Sequence, residues 1–64
     1  MTEELKLKMF EKVLEMEHLA ERQQEGKIYG PDNARDWFSE SEGAYKMLDI
    51  LGLGREYIRW SVGK

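Results

Sequence analysis

The opening stretch of the chain, residues 2–25, runs without a single glycine or proline and is rich in Glu, Lys, Leu, Met and Gln. These are strong helix formers, so the composition predicts one long helix. Thr2 stands where an N-cap belongs, Glu3 and Glu4 suit the positive end of the helix dipole, and Gly26 suits the C′ position. At about 100° per residue, Leu5, Met9, Val13, Met16, Leu19 and Ala20 form one apolar stripe, and Leu7, Phe10 and Leu14 form a second. Lys8, Glu11, Glu15 and Arg22 occupy the remaining wet sector. A single partner helix cannot cover both stripes.

That excess matters because the chain has only 64 residues and no cysteine. A domain this small buries only about 60% of the surface its unfolded chain exposes. Without cysteine it has neither a disulfide framework nor a thiolate zinc site to support a thin core. Helix packing, self-association or a partner must supply the rest.

Residues 26–33 form the main connector, punctuated by Gly26, Gly30 and Pro31, with Ile28-Tyr29 as an apolar clip and Asp32 or Asn33 as the next cap. Across residues 34–51, Ala34, Trp37, Phe38, Ser41, Ala44, Tyr45, Leu48 and Leu51 recur at helical spacing. Gly43 inside this run is expected to mark a close approach of another backbone. The capping-box pattern Ser39-x-x-Glu42 offers the alternative of a break near residues 39–43. Gly52 ends the helix. Residues 55–62 fit either a short helix or an extended tail, and the lack of a partner strand favours the helix. The expectation is a single all-α domain over residues 1–64, a long helical hairpin with a short C-terminal helix that dimerises through the first helix.

Charged residues make up 36% of the chain and hydrophobic residues 41%, a balance that suits neither disorder nor a membrane span. No basic, apolar leader precedes the first helix, so the expected compartment is the cytoplasm. The net charge of −3 disfavours non-specific nucleic-acid binding, although the last twelve residues are locally basic. There Arg55, Tyr57, Arg59, Trp60 and Lys64 interleave cations with aromatics, the pattern that stacks bases and pairs phosphates.

Catalytic chemistry finds little to work with. Glu15-x-x-His18 matches half of a di-iron carboxylate motif, but both residues fall on the wet sector. His18 is the only imidazole, and Ser39, Ser41 and Ser61 lack a nucleophile elbow. Gly52-x-Gly54 stops short of a dinucleotide fingerprint, since Tyr57 stands at the third glycine position. No catalytic, cofactor or metal residue is assigned. The expected function is a non-enzymatic protein–protein interaction module. Its association surface would be Leu5, Met9, Phe10, Val13, Leu14 and Met16, and Trp37, Tyr45 and Trp60 would anchor the fold.

In the second half, Trp37-Phe38-Ser39-Glu40-Ser41-Glu42-Gly43-Ala44-Tyr45, Ile50-Leu51-Gly52-Leu53 and residues 56–64 stand in sequence. Over residues 37–64 the chain resembles small phage- and prophage-encoded proteins of Gram-positive bacteria. The resemblance implies an accessory protein of the host cytoplasm that binds and modulates a host or defence protein, a phage-type inhibitor or adaptor. It carries over no individual site residue.

Overall fold

The computed structural model describes residues 2–27 and 35–64. They form three helices, α1 (Glu3–Gln24), α2 (Trp37–Ile50) and α3 (Gly54–Val62), with no strand among the described residues. The architecture is all-α, a long first helix paired with α2 and a short C-terminal helix laid across them.

Each helix end has a local cause. The Thr2 hydroxyl accepts the Leu5 N–H at 3.1 Å. At the other end Gly26, with φ 73°, closes a Schellman motif: its N–H donates to Gln23 O and the Lys27 N–H donates to Arg22 O. Helix α2 begins at Trp37, three residues later than the apolar spacing predicts. Asp36 takes the N-cap, accepting the Ser39 N–H at 3.2 Å and the Ser39 hydroxyl at 2.8 Å. Those bonds hold the Asp36 carboxyl below its ordinary pKa of 3.8, the Ser39 hydroxyl contributing most. Ser39 therefore sits inside the first turn, and the helix runs unbroken through residues 39–43. The Ile28-Tyr29 clip and the Asp32 or Asn33 cap fall on residues 28–34, outside the described residues.

The close approach expected at Gly43 occurs instead at Gly54. A Cβ added at Gly43 would meet nothing within 4 Å, so among the described residues no backbone approaches it. The close approach lies at Gly54, where an added Cβ would sit 2.9 Å from Asp49 Oδ1 and 3.3 Å from the Tyr45 hydroxyl. Gly52, with φ 76°, closes a second Schellman motif, and α3 begins two residues later. Residues 55–62 are helical rather than extended.

The core is aromatic and small. Phe10, Val13, Leu48 and Tyr57 are buried, with Met9, Ala44, Tyr45, Leu53 and Trp60 packed against them. Phe10 meets Tyr57 edge-on at 5.4 Å between ring centroids, and Trp60 lies 5.6 Å from Phe10. The two stripes of α1 thus find two different covers, with α3 closing over Phe10 from the second. A satellite cluster joins Ala20 and Trp37 to Met16 and Leu19.

Polar ties fix the three helices relative to one another. Tyr57 donates its hydroxyl to Glu17 Oε1 at 2.9 Å. Lys6 bridges Glu3 on its own helix and Glu56 on α3. Gln23 clamps the far end, donating through Nε2 to Arg35 O at 2.6 Å and accepting the Trp37 N–H at Oε1. The Arg35 guanidinium lies 4.5 Å over the Trp37 ring and pairs with Glu40.

Candidate protein-binding groove

Helix α3 seals one side of the α1–α2 pair and contributes nothing to the other. There an open groove of about 310 Å3 is walled by Met9, Lys12, Val13 and Met16 from α1 and by Ala44, Met47, Leu48 and Leu51 from α2. Its floor is the core itself, since Val13 and Leu48 are buried. Its walls are exposed where α2 supplies them, Met47 by 61% and Leu51 by 51%. Leu5, one turn before Met9, and Ile50 are also exposed.

The local sequence accounts for this shape. Met47 and Leu48 follow Ala44 by three and four residues and precede Leu51 by four and three, so α2 carries a broad apolar face. Leu48 is buried and Ala44 packs against the core, while Met47 and Leu51 stand largely in solvent. Three of the four methionines of the chain line the groove. Unbranched, polarizable thioethers adapt their shape to whatever helix or loop is laid on them. The one ionisable lining group is Lys12, which bonds to Glu15 at 3.4 Å. A surface of this kind offers contact area and shape rather than acid–base chemistry.

The six residues expected to form one association surface are divided by the structure. Met9 and Met16 wall the groove, and Val13 lies at its floor. Leu5 is exposed beyond its end. Phe10 is only 1% exposed and lies beneath Tyr57 and Trp60, so it belongs to the core of the single chain. Leu14 is half-buried beside Trp60 in a separate cleft. Met47 and Lys12 were not singled out by sequence. Met47 stands one turn before Leu51, which is the signal that could have revealed the second wall.

The residues of the basic tail differ in exposure. Tyr57 is buried in the core, where burial and then the Glu17 hydrogen bond push its phenol well above its ordinary pKa of 10.0. Trp60 is half-buried, with Lys64 Nζ 4.9 Å from its ring centroid. Arg55 and Arg59 are exposed. The cleft beside Trp60, about 420 Å3, carries Glu11 and Glu15 along with His18, Arg22 and Lys64, so its charges largely cancel. Glu15 and His18 are both exposed, and no group of three or more potential metal-binding side chains occurs among the described residues. Among those residues no helix is long and apolar enough to cross a membrane.

No family model matches the chain, nor does any curated protein or solved structure.

Proposed function

We propose that the chain is a non-enzymatic protein–protein interaction module whose working surface is the apolar groove between α1 and α2. The observation that carries this reading is a core open on one side: Val13 and Leu48, buried residues, form the floor of a methionine-lined trough. Its natural occupant is the apolar face of a helix, laid between two helical walls as in other helix-in-groove recognition. Covering side chains the size of Met47 and Leu51 would stabilise a complex by about 1.5–3 kcal/mol each before the costs of association. Together with the phage-like second half, this supports an accessory protein that acts in a host cytoplasm by occupying part of another protein.

The test uses Met47→Glu, which places a carboxylate in the trough without touching the buried core. A protein captured by the tagged wild-type chain is purified and titrated against both chains by calorimetry. Binding to wild type and a loss of tenfold or more with Met47→Glu, at unchanged circular dichroism, is the expected outcome. Equal affinity for both chains removes the groove from the mechanism.

A further inference from the structure

The wall that α1 gives to the groove has a symmetry of its own. Along one line of the helix stand Leu5, Met9, Lys12, Met16 and Leu19, at alternating steps of four and three, the spacing of a coiled-coil seam. Read in either direction the order is the same: Leu, Met, Lys, Met, Leu. A two-fold axis crossing α1 at Lys12 therefore sets Met9 opposite Met16 of a second copy, both in the groove wall, and brings exposed Leu5 to its half-buried Leu19 at the edge of the Trp37 cluster. Such self-complementarity is what an isologous interface requires.

Charge selects the same arrangement. Lys8 and Glu15 flank the seam, one turn before and one turn after Lys12, and both side chains are exposed, 70% and 60%. Antiparallel pairing places Lys8 of each copy across from Glu15 of the other. Parallel pairing would set these flanking positions beside Val13 and Ala20 of the other copy, where no such pair forms. Helix α2 adds a second mark: Gly43 lies one turn before Met47, and an added Cβ there would meet nothing within 4 Å. A glycine in a helix interior that none of the described residues approaches leaves room there for a backbone of a second copy.

From this palindromic seam and its charges we infer that the occupant of the groove is a second copy of this chain, bound antiparallel about an axis at Lys12. This inference rests on reading the groove as a helix-binding surface. Lys12 meets its own counterpart at the axis, each already paired with its Glu15, which keeps the association weak and fixes its register.

The chain has no cysteine, so single-cysteine variants report contacts directly. Sedimentation equilibrium of the wild type is expected to give twice the chain mass at high concentration, and Met47→Glu the single mass. Lys12→Leu is expected to tighten the pair roughly tenfold. Under mild oxidation Lys12→Cys should link to itself, while Lys8→Cys should link to Glu15→Cys in a mixture faster than either links to itself. A single-chain mass for the wild type at high concentration overturns the inference, as does Lys8→Cys linking to itself as fast as to Glu15→Cys. If the wild type is a single chain yet Met47→Glu still loses a purified partner, the self-pairing fails and the wider reading of the groove stands. A pair that Met47→Glu leaves intact overturns self-pairing through the groove.

Discussion

The Tyr57 hydroxyl donates to Glu17 Oε1 across 2.9 Å, joining α3 to α1 over forty residues of sequence. The bond requires a neutral phenol, and burial raises the folded-state pKa above the ordinary 10.0. A raised pKa contributes stability that is present below pH 10 and lost as pH climbs toward the folded value. Thermal melts followed by circular dichroism should therefore show a falling Tm above about pH 10. Lys6, held above its ordinary 10.5 first by Glu56 and then by Glu3, loses its ion pairs in the same direction. Tyr57→Phe separates the two: it should cost about 1–3 kcal/mol at neutral pH, by leaving Glu17 without its donor, and flatten the alkaline decline.

The acid limb has the opposite sign. Asp36 is depressed below 3.8 by its bonds to Ser39, so its contribution is present above that value and disappears as pH falls through the folded-state pKa. Asp36→Ala should fray the start of α2, seen as faster amide exchange at Ser39, and should weaken the acid dependence of Tm.

The glycines make a paired prediction. Gly43→Ala should stabilise the single chain by about 1 kcal/mol, because the helix gains propensity and the new methyl meets nothing. The corresponding rise in Tm is roughly 4–8 °C for a domain of this size. Gly54→Ala should destabilise by about 1–3 kcal/mol, since its methyl would press on Asp49 and Tyr45.

Core and groove should respond differently to truncation. Phe10→Ala removes a ring 1% exposed and should cost about 3–5 kcal/mol, enough to unfold much of a small domain. Met47→Ala should change stability of the single chain by only about 0.5 kcal/mol, because the side chain is 61% exposed. Urea melts of the two variants distinguish a residue that holds the fold from one exposed at its surface.

What the sequence made legible was local. Thr2, Gly26 and Gly52 mark helix ends because capping depends on residues a few positions apart. Where α2 begins was not legible from the apolar spacing, since Ala34 continues the period while Asp36 and Ser39 form the stronger cap. Gly43 and Gly54 look alike in sequence, and only packing shows which one another element approaches. Phe10 and Met9 are neighbours on the same greasy helix. That one is core and the other groove depends on which side α3 falls, a choice made by Tyr57 and Trp60 more than forty residues away. Glu17, Lys6 and Gln23 carry the inter-helix ties, yet in a Glu- and Lys-rich segment nothing distinguishes them from solvated neighbours.

Leu53 belongs to two helices at once: its N–H closes α2 on Leu48 O, and its carbonyl accepts the Tyr57 N–H that opens α3. At nine residues α3 is too short to persist alone. Loosening the end of α2 therefore releases the lid over Phe10 in the same event, and the molecule should come apart in one concerted transition rather than shedding its last helix first.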